Sequence, residues 1–234
     1  MIPLRDNNPT RSTPLLTYII ILVNTLIFLF QASLDPRSDK LLIERFGLVP
    51  AMVAQEHYVG SMITPFTSMF MHGGFLHLLF NMWSLFIFGD NVEDRLGKGR
   101  FLLFYFGSGL GAAAAQVYVD PSSTIPMVGA SGAIAGVLAA YLRMFPHARV
   151  LTLIPLFFLF ITRELPAVLF IVIWFVMQVL SGVGSLSMAG NQATGGVAFF
   201  AHIGGFLMGL VLVSMLTPTR NRMGGFRRPE QYRY

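Results

Sequence analysis

Charge-poor apolar blocks recur along the chain at about 15–31, 73–89, 100–119, 131–145, 165–181 and 197–216, separated by polar stretches. Most approach the ~20 residues a helix needs to cross a hydrocarbon core about 30 Å thick. The pattern predicts an all-α membrane protein: a bundle of six transmembrane helices spanning 15–216, between a polar tail at 1–14 and a basic tail at 217–234. The fourth block is short. From Ser131 to its far end a helix rises only about 20 Å, so it is expected to start inside the bilayer. The preceding "DPSSTIPMVGA" (120–130) must then descend as non-helical backbone, which is tolerated only where protein buries it or water reaches it. A further apolar run, "LTLIPLFFLFIT" (151–162), stops at Arg163-Glu164; it is too short to span and is expected to be interfacial or re-entrant. Residues 32–72 form a long loop whose "LLIERF" suits an amphipathic segment on the membrane surface, and 182–196 form an uncharged Gly/Ser-rich loop.

Composition sharpens this picture. Of 234 residues, 54% are hydrophobic and 12% charged, and there is no cysteine, so thiol chemistry and disulfides are excluded. Basic residues orient the spans. With the N-terminus inside, Arg5, Arg11, Arg95, Lys98, Arg100, Arg143, Arg149, Arg163 and the five tail arginines lie inside, leaving only Arg37, Lys40 and Arg45 outside. That asymmetry follows the positive-inside rule and assigns the basic balance to topology and the lipid bilayer, with no nucleic-acid partner. The expected location is a bacterial cytoplasmic (inner) membrane with both termini cytoplasmic. The first block follows a polar stretch and reads as a retained span, not a cleaved leader.

Polar residues inside the spans fall in one layer. His77 lies 13 residues and Asn81 nine before Asp90, roughly 20 and 14 Å along a helix. Ser131 precedes Arg143 by 12 residues and His202 precedes Leu216 by 14, roughly 18 and 21 Å. Unpaired polar groups at such depth are costly, so a shared layer points to function. His77 and Asn81 share one helix face at i and i+4. Gly205 and Gly209 lie on the face of His202, and that small-residue face suits close packing on Gly132 and Gly136, bringing His202 towards Ser131. A hydroxyl at a helix N-terminus, an imidazole and amide donors are the parts of a hydrolase. Ser131 is the expected nucleophile and His202 its base, with His77, Asn81 and the Ser131 N–H as oxyanion donors. No Asp or Glu shares the layer, so a Ser–His dyad is expected, without cofactor or metal. The rival classes are a metal-binding protein using His72, His77 and His202, and a transporter using the broken descent before Ser131.

"HGGFLHLLFNM", "GASGAIAG" and "AHIGGFLMG", in this order on alternate spans, resemble the rhomboid family of intramembrane serine proteases, and "FGDNVEDRLG" resembles that family's inner turn. The resemblance covers roughly 15–216. It implies a six-helix bundle that cleaves transmembrane segments of other membrane proteins near the outer leaflet, with Ser131 and His202 catalytic and His77 and Asn81 in the oxyanion hole. Two positions depart from the family pattern. The Trp-Arg pair that many members carry in the long outer loop is missing, because Trp83 and Trp174 lie in spans. Ala135 stands where several members place an aromatic residue against the catalytic histidine. Phe199 or Phe206 is the expected substitute, the alternative being a less constrained imidazole. Substrate entry is expected between the second and fifth spans.

Overall fold

The computed structural model describes residues 2–54, 62–156, 159–188 and 198–217. Its long helices are α1 (Leu15–Ser33), α5 (Phe75–Leu96), α6 (Lys98–Val119), α7 (Ser131–Met144), α8 (Ala167–Met188) and α9 (Phe199–Leu216). The shorter α2 (Pro36–Phe46), α3 (Pro50–Val53) and α4 (Thr64–Thr67) lie between α1 and α5. Among the described residues α1, α6 and α9 are long and apolar enough to cross a membrane. The segment Thr64–Phe70, bent 94° from α5, forms with it a fourth candidate span, while α7 and α8 include shorter apolar stretches.

α7 is the hub. Every residue from Gly132 to Tyr141 is buried, as expected of a helix that is apolar on all sides and enclosed by neighbours. It packs against α5, α6, α8 and α9. A Cβ on Gly205 would run into the Gly132 carbonyl, and one on Gly209 into the Gly136 backbone. The α7 and α9 backbones are therefore in direct contact, an approach only small residues permit.

α1 has no side-chain cap of its own. The buried Glu93 carboxylate of α5 accepts from Leu16 N (3.0 Å), Thr17 N (2.7 Å) and Thr17 Oγ1 (2.8 Å). Its neighbour Asp94 accepts from Ser12 N (3.0 Å) and Ser12 Oγ (2.6 Å). One helix thus supplies the acceptors that the other's first turn lacks, with negative charge at the positive end of its dipole. Glu93 and Asp94 of the turn sequence thus act as caps for α1.

The apolar run 151–162, expected to be interfacial or re-entrant, is built from strand and not from helix. It belongs to a β-hairpin, β2 (Arg149–Leu156) and β3 (Leu159–Pro166), and β2 also pairs with an N-terminal strand, β1 (Ile2–Asp6), to give an antiparallel sheet ordered β1-β2-β3. The chain is mostly helical, in keeping with the expected all-α class, with this small sheet as an addition to it, and the tail at 1–14 is partly a strand. Ile2 pairs with Leu153 and Asp6 with Val150. Val150 and Thr152 alternate inward while Arg149 and Leu151 are more exposed, the period of a half-buried strand. The β1 segment is pinned from α5 and α7. Trp83 Nε1 donates to the Pro3 carbonyl (2.6 Å), and Asp6 accepts from Tyr141 Oη and Asn91 Nδ2. The 151–162 run is rich in β-branched and aromatic residues, but its partner strand lies almost 150 residues earlier.

The long loop is anchored without a Trp-Arg pair. Leu48 and Met127 exchange backbone hydrogen bonds (3.0 and 2.7 Å), and Ala51 N donates to the Ser123 carbonyl (2.9 Å). Gln31 of α1 brackets His72, its Oε1 accepting from His72 N (3.1 Å) and its Nε2 donating to the His72 carbonyl (3.2 Å). The amphipathic segment is α2, capped by Asp35, which accepts from Arg37 N and Ser38 N. Most of the 182–196 loop and the tail beyond Thr217 lie outside the described residues; α8 itself extends to Met188.

Replacing Glu93 by Ala leaves buried α1 amides unpaired and is expected to lower stability in detergent by about 1–3 kcal/mol. Glu44→Ala, which removes only a half-exposed contact with Lys40 (3.8 Å), should change it by no more than about 0.5 kcal/mol. Thermal unfolding of both variants checks this. Burial raises the Asp6 pKa above 3.8, partly offset by the Tyr141 hydrogen bond. The folded state therefore holds that proton more tightly, and stability falls as pH rises through the folded value. Asp6→Asn removes this loss, so the melting midpoint of the variant relative to wild type should climb as the pH is raised from the acid range towards neutrality.

Candidate active site

Ser131 is the first residue of α7, preceded by Ala130 in a turn and by Gly129 at φ 122°. That left-handed conformation favours glycine. A Cβ there would also strike the His77 ring, 2.7 Å away, with Asn81 Nδ2 at 3.7 Å. Gly129 N donates to the Ser68 carbonyl (2.9 Å), which ties the descending segment to the chain before α5. The segment 120–130 is non-helical throughout, so the hydroxyl is delivered at a helix N-terminus, where backbone N–H groups lack intrahelical acceptors.

His202, 8% exposed, lies in the first turn of α9. Its Nε2 is 2.7 Å from Ser131 Oγ and its Nδ1 is 2.8 Å from Gln178 Oε1. The structure thus brings together the two residues that the depth comparison paired, across the glycine contact of α7 and α9. His77 and the buried Asn81 face the same space from α5, with Asn81 Nδ2 donating to the His77 carbonyl (2.9 Å) and retaining a second N–H. A cavity of about 670 Å³ joins them, lined by Ser131, His202, His77, Asn81 and Gly129, and extending between Phe80 and Ser84 of α5 and Trp174 of α8.

His72 is buried and meets the His77 ring edge-on, centroids 5.2 Å apart. Both ring nitrogens of His202 are occupied by Ser131 and Gln178, so the three histidines do not converge as a ligand set. Neither expected ring supports His202. Phe206 stacks on Phe175 at 4.3 Å, and the ring beside the imidazole is Trp174, centroids 5.8 Å apart.

Gln178 and Trp174 escaped the sequence reading. A signal for them exists: "WFVMQ" puts both on one face of α8 at i and i+4. Gln178 stands 11 residues into that helix, roughly 16 Å along it and close to the heights of Asn81 and Ser131. The amide lies in the fifth apolar block, outside the set of alternate blocks that carry His77, Asn81, Ser131 and His202.

A hydroxyl, an imidazole and amide donors thus line one cavity within the helical bundle. Residues 59–219, more than half of the chain, match the Rhomboid domain family. YdcA of Bacillus subtilis is 46% identical over 78 residues, 33% of this chain and 39% of that protein. Rhomboid protease AarA of Providencia stuartii is 33% identical over 142 residues, 53% of this chain and 49% of its own length. RHOMBOID-like protein 1 of Arabidopsis thaliana is 30% identical over 200 residues, 82% of this chain and 45% of its own. The chain spans less than half the length of each of these three relatives. With its domain matched over this extent, the chain belongs to the rhomboid family.

Proposed function

We propose that the protein is an intramembrane serine endopeptidase that cleaves transmembrane segments of other membrane proteins near the outer leaflet. The observation that carries this reading is the 2.7 Å contact of Ser131 Oγ with His202 Nε2 at an internal cavity. His202 takes the hydroxyl proton as Ser131 attacks the scissile carbonyl, and then gives it to the leaving amine. Water, activated by the same imidazole, releases the acyl group and restores the serine. The Ser131 N–H, the free N–H of the Asn81 amide and His77 surround the position of the developing oxyanion. Relatives named as rhomboid proteases support the same chemistry.

In this reading the bundle has six spans, with α7 and α8 as the two shorter ones, both termini face the cytoplasm, as the arginine distribution favours, and the membrane is a bacterial inner membrane. A substrate helix enters between α5 and α8, where the cavity reaches the exposed apolar faces of both helices. It must unwind locally. Because its freed backbone groups need partners, favoured substrates carry Gly, Ala or helix breakers near the cut.

In proteoliposomes, a model transmembrane substrate is expected to be cleaved by wild type, while Ser131→Ala and His202→Ala lose activity by about 10³-fold or more. Asn81→Ala should cost about 10²–10³-fold, as for loss of one oxyanion donor. A serine-directed phosphonate should label Ser131 alone. Cleavage that survives loss of the Ser131 hydroxyl overturns the proposal. Because the chain lacks cysteine, cysteines introduced on α5 and α8 can be tethered selectively. The tether should block cleavage of the transmembrane substrate while leaving phosphonate labelling intact.

A further inference from the structure

We infer that Gln178 is a positioning residue for His202, and that by carrying it α8 couples the substrate entrance to the competence of the Ser131–His202 pair. The inference rests on the protease reading above.

A neutral imidazole exists as two tautomers, and only the one protonated at Nδ1 leaves Nε2 free to accept the serine proton. An acceptor at Nδ1 selects that tautomer. Gln178 Oε1 occupies this position at 2.8 Å, on the opposite side of the ring from Ser131 Oγ at 2.7 Å. Trp174, one turn earlier on the same helix, lies beside the ring. The orientation is therefore set by a neutral amide and an indole, and both come from α8. Being uncharged, the amide fixes the tautomer without the charge compensation that a carboxylate gives the imidazolium.

α8 also forms one side of the entrance. Its first turns are held: Ala167 N donates to the Ala148 carbonyl (2.8 Å), Ile171 is fully buried, and Phe170 stacks on Phe88 of α5 at 6.1 Å. Its outward face is apolar and exposed throughout, at Leu169, Val172, Val176, Met177 and Leu180 alike, and the cavity separates Trp174 from Phe80 and Ser84 of α5. Beyond Ile171 no residue as far as Leu180 is fully buried, and the ring and hydrogen-bond contacts of that part are with α9, through Phe175 stacked on Phe206 and through Trp174 and Gln178 at His202. A helix tied to α5 at its start opens that side by swinging its later turns. That swing withdraws Gln178 from Nδ1. The imidazole is then held for catalysis only when α8 has returned over the entered segment, so an open entrance and an active dyad exclude one another.

Full-length protein in proteoliposomes tests this, using a transmembrane substrate and a small phosphonate that needs no gate. Gln178→Leu, which removes the acceptor, should lower kcat and the labelling rate about 10–100-fold with KM unchanged, less than the about 10⁴ lost when a triad carboxylate is neutralised. Gln178→Glu keeps the acceptor and should recover most of both rates. Its carboxylate favours the charged imidazole, so the acid limb of the kcat/KM profile should move up by about one pH unit. The Glu variant also separates positioning from misfolding. Wild-type cleavage and labelling by Gln178→Leu overturns the inference, as does a rise in KM at unchanged kcat. A Glu variant as inactive as the Leu variant likewise overturns it. Absence of Ser131-dependent cleavage in the wild type overturns the protease reading and this inference with it.

Discussion

Two backbones must touch for this site to exist. Ser131 and His202 belong to different helices, and the 2.7 Å separation of their side chains requires α7 and α9 to approach more closely than any side chain beyond hydrogen would allow. Gly132 and Gly136 on one helix and Gly205 and Gly209 on the other meet that requirement. In lipid there is little hydrophobic drive between helices, so close van der Waals packing carries the association. The same contact that holds the bundle together also sets the distance between hydroxyl and imidazole. Packing and chemistry are one constraint here, and a methyl group at Gly205 would act on both.

Around that contact the fold manages polar groups at its two ends by different means. At the end carrying Tyr141, the unsatisfied amides of α1 are met by Glu93 and Asp94 of α5, and the N-terminal strand is tied by Asp6, Tyr141, Asn91 and Trp83. These links close residues far apart in sequence into one base. At the end carrying Ser131, non-helical backbone runs down to the short α7 and is satisfied by Leu48, Ser68 and Ala51. Buried irregular chain there leaves room for the cavity, whereas a helix filling 120–130 would occupy it.

α8 stands apart from this rigid frame. It is tied to the sheet and to α5 at its start, and where it passes the cavity it contributes Trp174 and Gln178 to the far side of the imidazole. If α8 moves as inferred above, the site trades permanent readiness for control. On the proposal above, a substrate helix enters in the arrangement in which the histidine is least constrained, while water and small molecules need no such opening.

Much was determined by the sequence alone. Apolar block lengths specify helices in lipid because every backbone group must be satisfied within its own segment. The heights of His77, Asn81, Ser131 and His202 follow from a fixed rise per residue, and the glycine spacing identifies which faces can meet. Local rules of this kind survive without coordinates. Tertiary structure alone decided the rest. The 151–162 run is divided between β2 and β3, and β2 is completed by Ile2–Asp6; no local period reveals a partner almost 150 residues away. Glu93 reads as an ordinary charged residue until α1 is placed beside it. Ala135 left the support of His202 open between Phe199 and Phe206. The answer, Trp174 and Gln178, depends on how α8 rotates about its own axis, and in a helix of nearly uniform hydrophobicity that rotation is set by its neighbours.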